Sequence, residues 1–468
     1  MKRILIAIIL GWTSLVLPPQ ASAVELTFWT TEIHEDRIRT IEFLIRAFTV
    51  MQDDVTVKLV SVNENDLCKR VSEAEKDGMA PHLIGAGSQL LVALNETGTL
   101  GKDTASRIIH SIGPERFYPG ALKRLSAPGG GWYGVPFHGW VQGIWYRADW
   151  FREAGLKPPC DWASILAAAK HFHAPASGRY GILVGTDEDH YATQVFTQLA
   201  CSNNAAMFDG DGQVLFDSKA MVETLEMYAT LAQCGPKGPQ TWRARDYFLQ
   251  GRLAMLFYST FIMDDLALAN VAQDSLTGNN FKELNGAAFD PDLVSKVDME
   301  ATLYHTGKAG YGVINGFGVA AGLSGEEQAA AERFLAFLYD PAHYVSWLHM
   351  APGGMLPVLR DVAVSDRFLT DPSGIFRRYG RVKIKNIIDG LSSMESFCLI
   401  DGKVIPAASV VYADDIIPQM IQRTVFEGVP PEKAVAQAAR QIRAIVQKVA
   451  SPENAASKKG TFPKKPTS

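Results

Sequence analysis

The chain has 468 residues, 47% of them hydrophobic and 20% charged, and 45 basic against 50 acidic side chains leave a net charge of −5. That composition describes an ordinary globular protein with room for two or more cores, not a disordered chain. A mildly acidic balance without a basic stripe argues against nucleic acid as the main partner, and no segment beyond the first approaches membrane length in its apolar run.

Met1-Lys2-Arg3 is a positive start, Ile4 to Leu17 an almost unbroken apolar stretch, and Ala21-Ser22-Ala23 a small-residue cleavage site, so residues 1–23 read as a secretory signal peptide. The first cysteine is Cys68, so none stands at the new N-terminus to carry a lipid, and an exported, unanchored periplasmic protein is expected. Five cysteines are too few for a disulfide scaffold, but an oxidising compartment permits one bridge. Cys201 follows an apolar helical stretch and Cys234 ends the next helix, which makes Cys201–Cys234 the candidate pair. No metal-ligand spacing and no cofactor fingerprint appears, so neither a metal nor a cofactor is expected.

From residue 24 the pattern is strand (Val24 to Trp29), helix (Ile38, Ile41, Leu44, Ile45 and Phe48 on one face), strand (Val55, Val57, Leu59), helix (about 65–77) and a short apolar segment at His82-Leu83-Ile84. That order predicts an α/β fold with a parallel sheet, in which ligands bind beyond the carboxyl ends of the strands. Thr30, Thr31, Glu32, Gly87, Ser88 and Gln89 then face a site. A turn at Ala127-Pro128-Gly129-Gly130-Gly131 precedes a long extended stretch, Trp132 to Arg147, interrupted by glycines, as a crossover between two lobes requires. Helices follow near 162–172, 190–200, 219–232 and 243–250, then an apolar strand from Arg252 to Phe257. Ser324-Gly325-Glu326-Glu327 is a capping box, and a last helix spans about 431–449. The lysine- and proline-bearing tail, 451–468, is expected to be disordered. Asp209-Gly210-Asp211-Gly212 reads as a glycine-rich turn, because the spacing of a calcium loop is missing.

The run Gly134-Val135-Pro136-Phe137 through Gln142-Gly143-Ile144-Trp145-Tyr146-Arg147, then Ala154-Gly155-Leu156-Lys157-Pro158-Pro159, resembles the bacterial extracellular solute-binding proteins of ABC importers, in the sugar-binding group that includes maltose-binding protein. Gly251-Arg252-Leu253-Ala254-Met255 with Ser259-Thr260-Phe261, Gly316-Phe317-Gly318-Val319-Ala320, and Gly354-Met355-Leu356-Pro357 agree with that group in the same order. The resemblance implies a two-lobed periplasmic binding protein fold with a crossover-strand hinge and a ligand cleft between the lobes. It implies discontinuous lobes, 24–137 with 260–315 and 138–259 with 316–450. Residues 262–312 and 376–405 match none of its landmarks.

A carbohydrate presents apolar C–H faces and a ring of hydroxyls, so its site needs aromatic platforms and planar polar groups. The resemblance places Trp140 at the crossover, Tyr191 and Phe261 as aromatic platforms, and Gly87 to Gln89 as a first-lobe contact loop. His138, Gln142, Asp189, Tyr258, Phe317, Arg360 and Tyr412 complete the candidate ligand set. Some of these residues have structural alternatives. Glu32 can cap the following helix, Phe317 can pack the hinge, and His138 can be a satisfied buried polar group. The implied function is capture of an oligosaccharide or polyol-like sugar by a monomer that delivers it to an ABC permease, with no catalytic residue. The rivals are a secreted glycosidase, for which only Asp189 and Glu32 offer carboxylates near the cleft, and a subunit that delivers ligand to a chemoreceptor.

Overall fold

Val24–Thr30 (β1), Val55–Ser61 (β2) and Leu83–Gly87 (β3) pair in parallel with β1 in the middle, Val24 opposite Val55 and Phe28 opposite Leu83. Parallel neighbours need crossovers, which the helices Glu35–Met51 and Leu67–Lys76 supply. In the first of these Ile41, Leu44, Ile45 and Phe48 are buried, the three-and-four spacing of one face. The computed structural model describes residues 24–52, 54–127, 129–275, 290, 292–400 and 403–450. The expected signal peptide and basic tail lie outside the described residues.

Val135–Arg147 (β4) is a single strand of 13 residues, about 40 Å long at ~3.3 Å per residue. The second lobe gathers Tyr180–Leu183 (β5) and Leu253–Ser259 (β6), which pair in parallel. Val297–Glu300 (β7) follows, then a small hairpin of Leu303–Tyr304 (β8) and Lys308–Ala309 (β9), then Tyr311–Val319 (β10) and Leu356–Pro357 (β11). The large sheet runs β2-β1-β3-β10-β4-β6-β5, with β7 and β11 also paired to β4. The two halves of β4 have different neighbours. Its first half lies between β10 and β11, while Ile144 to Tyr146 lie between β6 and β7. This strand therefore passes from one lobe into the other.

The pairing corrects the expected division of the chain. β7 joins the second-lobe end of β4, so residues 297–300 do not belong with 24–137. Asn315 to Val319 pair with β3 and the helix Gly325–Tyr339 packs Phe334 against Phe28 and Phe48, at ring centroids 6.0 and 5.0 Å, so this stretch belongs to the first lobe. The order of landmarks along the sequence does not say which end of β4 a returning strand will join. The C-terminal helix Pro431–Ala450 lies on the second lobe, where Arg443 bonds both oxygens of Asp217 at 2.7 and 2.8 Å.

Within the segment 376–405, residues 376–393 supply a further passage between lobes. Its turn Gly390–Ser393 packs on the short helix Pro119–Lys123, where a Cβ on Gly120 would collide with the carbonyl of Leu391. Gly310 N–H donates to Ser393 O at 2.7 Å, tying the start of β10 to the same turn.

Candidate functional site

Antiparallel partners share a face of a sheet, and alternate residues of a strand share it too. His138, Trp140 and Gln142 of β4 stand opposite Asn315, Val313 and Tyr311 of β10, so the six side chains lie on one face of the crossover. Two pockets lie along it.

The first-lobe pocket, of about 270 Å³, is lined by Thr30, Thr31 and Glu32 beyond β1, Gly85 and Ala86 of β3, and His138, Asn315 and Phe317. Thr31 N–H donates to Gly85 O at 3.0 Å, and Glu32 N–H to Thr30 Oγ1 at 3.2 Å, which fixes the loop after β1. Arg37, in the first turn of the following helix, bonds Glu32 Oε2 at 3.0 Å. The Glu32 carboxylate thus pairs with a side chain of that helix and does not cap it. His138 is buried, and among the described residues its Nδ1 has no hydrogen-bond partner. Burial, aided by the Arg37 charge, pushes its imidazole down to about 3. Neutral imidazole offers one donor and one acceptor.

The second pocket, of about 390 Å³, lies between the lobes. Gln89 comes from the first, Thr193 and Thr197 from the second-lobe helix His190–Ser202, Tyr311 from β10, and Tyr412 from the helix Pro406–Ala413. The Tyr412 ring stacks on His190 with centroids 4.4 Å apart and planes 18° from parallel. Burial raises the phenols of Tyr311 and Tyr412 well above their ordinary range, so both hold their protons. Trp140 meets Phe261 edge-on at 6.3 Å and Tyr311 at 6.1 Å. Phe261 keeps 39% of its surface exposed although large and apolar.

The expected residues separate into two groups. Thr31, Glu32, His138 and Phe317 come together in the first pocket, and Gln89 and Tyr412 in the second. Trp140 and Phe261 form an aromatic pair, and Gly87 sits beside Asn315, whose Oδ1 is 3.7 Å from where a Cβ would stand. Several others have structural roles. Tyr191 is in the second-lobe core with its hydroxyl donating to Phe257 O at 2.6 Å, so it is not an open platform. Gln142 is buried and donates to Gln198 Oε1 at 3.2 Å. Asp189 accepts Ala192 N–H at 3.1 Å as an N-cap. Tyr258 is buried with its hydroxyl 3.4 Å from Arg245 Nη1. Ser88 is buried at the start of the helix Ser88–Glu96. Arg360 lies over the Tyr118 ring at 5.9 Å and lines neither pocket. Phe317 lines its pocket from within an aromatic cluster, 4.7 Å from Phe137 and 5.9 Å from Trp347.

All five cysteines are free, which corrects the expected Cys201–Cys234 bridge. Cys201 lies within electrostatic reach of Arg124 and Cys398 on the hinge side, whereas the charge acting on Cys234 is Lys170. The residues that sequence reasoning missed are Tyr311, Asn315, Arg37, Thr193 and Thr197. The alternation Tyr311-x-Val313-x-Asn315 carried the signal for the first two. Among the described residues, no group of three or more His, Cys, Asp or Glu side chains is placed to hold a metal ion.

Known proteins agree with this architecture. A putative ABC transporter periplasmic-binding protein of Escherichia coli (strain K12) is 29% identical over 344 residues, 73% of this chain and 75% of its own length. The mannitol-binding protein of Pseudomonas aeruginosa is 27% identical over 232 residues, 48% of this chain and 52% of that one. The crystal structure of a cyclic alpha-maltosyl-1,6-maltose binding protein from Arthrobacter globiformis matches with a TM-score of 0.68 at 17% identity, over 91% of this chain and 100% of that one, and shows a shared fold. Residues 44–374 match the family description directly, and the chain belongs to the bacterial extracellular solute-binding proteins.

Proposed function

We propose that this protein is the substrate-binding component of an ABC importer, working as a periplasmic monomer that captures a sugar or polyol between its lobes and delivers it to a membrane permease. The observation that carries the reading is the single face of β4 and β10, which sets an aromatic group (Trp140, Tyr311 and the neighbouring Phe261) among neutral hydrogen-bonding groups, His138, Asn315 and Gln89. Aromatic faces suit the C–H surface of a carbohydrate, and groups that donate and accept suit its hydroxyls. The relatives named above for mannitol and for a cyclic maltosyl sugar support the same class.

The working cycle is hinge closure about the crossover. A ligand that touches both lobes favours the closed form by its differential contacts, and closure buries it. A hydrolytic reading finds less support, because Glu32 is paired with Arg37 and Asp189 caps a helix. The test is a thermal-shift and calorimetry screen against mono-, di- and oligosaccharides and polyols, with amino acids as controls. Saturable stabilisation by one sugar or polyol, weakened at least tenfold in Trp140→Ala and without product formation, supports the reading. Stabilisation by amino acids alone, or turnover of a glycoside, overturns it.

A further inference from the structure

Trp347 lies on the helix Pro341–Leu348, which packs on the first-lobe helices Glu35–Met51 and Gly325–Tyr339. Its side chain is 2% exposed and meets the rings of Phe137 and Phe317 edge-on, at 5.2 and 5.9 Å. With His138, Asn315 and Glu32 it lines the first-lobe pocket. Among the described residues the buried indole Nε1 has no acceptor, just as the buried His138 Nδ1 has no partner. Two residues with orphaned polar atoms thus border one cavity. A buried polar group left unpaired costs about 1–3 kcal/mol, and nearly all such groups in folded proteins are satisfied by protein or by a bound oxygen.

The chemistry of the lining selects what can satisfy both. An indole N–H only donates, so its partner must accept, which excludes an ammonium group. Glu32 is already paired with Arg37 and the His138 imidazole is neutral, so the lining has no free positive charge for an anion. A hydroxyl both accepts and donates. It can take the Trp347 proton and still meet either tautomer of the imidazole. Phe137 and Phe317 form the apolar part of the same lining, a wall suited to a methylene group.

We propose that the first-lobe pocket takes the terminal hydroxymethyl group of the ligand, its hydroxyl bonded to Trp347 and His138 and its methylene set against Phe137 and Phe317. The inference rests on the carbohydrate reading above and adds to it a requirement for a primary hydroxyl, with Trp347 as a specificity-determining residue. His138 and Trp140 are two residues apart on one face of β4, about 7 Å by strand geometry. A ligand anchored in this pocket therefore carries its next carbons toward the Trp140 ring.

Calorimetry on the mature protein with matched pairs tests this: glucose against 6-deoxyglucose, galactose against 6-deoxygalactose, and mannitol against 1-deoxymannitol. The hydroxylated member of at least one pair should bind at least tenfold tighter, because its deoxy partner leaves buried polar groups unpaired. Trp347→Phe keeps an aromatic ring and removes the N–H. It should cut the preference at least fivefold by weakening the hydroxylated member while the deoxy member binds as before. His138→Leu should have the same effect, and the comparison of pairs on the native protein needs neither variant to fold. Equal or tighter binding of the deoxy members would overturn the inference and leave the carbohydrate reading intact, a retained water then satisfying both groups. A preference unchanged in both variants, or a Trp347→Phe that weakens both members of a pair alike, would also overturn it. So would the absence of binding by all six compounds, and the carbohydrate reading falls with it only if the wider screen of sugars and polyols fails as well.

Discussion

Gln142 Nε2 donates to Gln198 Oε1 at 3.2 Å, and through this bond the middle of the crossover strand is held to the second-lobe helix His190–Ser202. Gln198 Nε2 in turn donates to Ala301 O at 3.1 Å, so one amide joins β4, a helix and the chain that follows β7. Both glutamines are essentially inaccessible to solvent. Gln142→Leu leaves the Gln198 oxygen buried without a donor, and such a loss costs about 1–3 kcal/mol. Denaturant unfolding should show a decrease of that size. An unchanged midpoint would mean the pair contributes nothing to the hinge.

Phe261 and Phe317 are both phenylalanines beside the cleft, but removing each should have a different consequence. Phe317 is 2% exposed and packs within 6 Å of Phe28, Phe137 and Trp347. Phe317→Ala should lower stability by about 3–5 kcal/mol, the range for deleting a buried aromatic ring. Phe261 is 39% exposed beside Trp140, and Phe261→Ala should cost under about 1 kcal/mol of stability while weakening ligand binding tenfold or more. Chemical denaturation and calorimetry on the two variants separate the roles. Equal losses of stability would refute the assignment.

The strength of the sequence reading was local. The capping box at Ser324 is present on both sides, with Ser324 N–H donating to Glu327 Oε2 at 2.8 Å and Glu327 N–H to Ser324 Oγ at 3.2 Å, because four adjacent residues determine it. Asp209 closes its turn by accepting Asp211 and Gln213 N–H, with Gly212 at φ 81°, for the same reason. The two-lobed α/β class followed from the order of landmarks. Depth did not follow. Tyr191 and Tyr412 are both tyrosines on second-lobe helices, yet one hydroxyl bonds Phe257 O in the core and the other ring lines a pocket. Which of these happens depends on how two distant segments pack, and neither periodicity nor composition encodes it.

Gly354 offers a way to disturb the aromatic pair without touching either ring. A Cβ on Gly354 would overlap the edge of Phe261, and that ring is free to swing because it is part-exposed. Gly354→Ala should therefore move Phe261 away from Trp140, reducing affinity by several-fold with little change in melting temperature. Intrinsic tryptophan fluorescence of Trp140 offers an independent readout in the unliganded protein. Affinity indistinguishable from the native protein would mean that Phe261 is not a ligand platform.

The acidic pair on β7 makes stability depend on pH in a direction that can be worked out. Burial pushes the Glu300 carboxyl up to about 7, and the Asp298 charge adds to the shift. The folded protein therefore holds a proton that the unfolded chain releases near the ordinary value of 4.5. Between those two values the folded state binds more protons, so stability falls as pH rises through the window and levels off above it. His138 acts with the opposite sign. Its imidazole, pushed down to about 3, stays neutral in the folded state while the unfolded chain takes up a proton below 6.5, so it removes stability as pH falls. Glu300→Gln abolishes the first effect and leaves the second. Near pH 4.5 the variant and the native protein should melt together, and at pH 8 the variant should melt higher, by several degrees. Melting curves at half-unit steps from pH 4.5 to 8.5 measure this directly. Coincident curves across the whole range would show that the Glu300 carboxylate reaches enough water to ionise without cost.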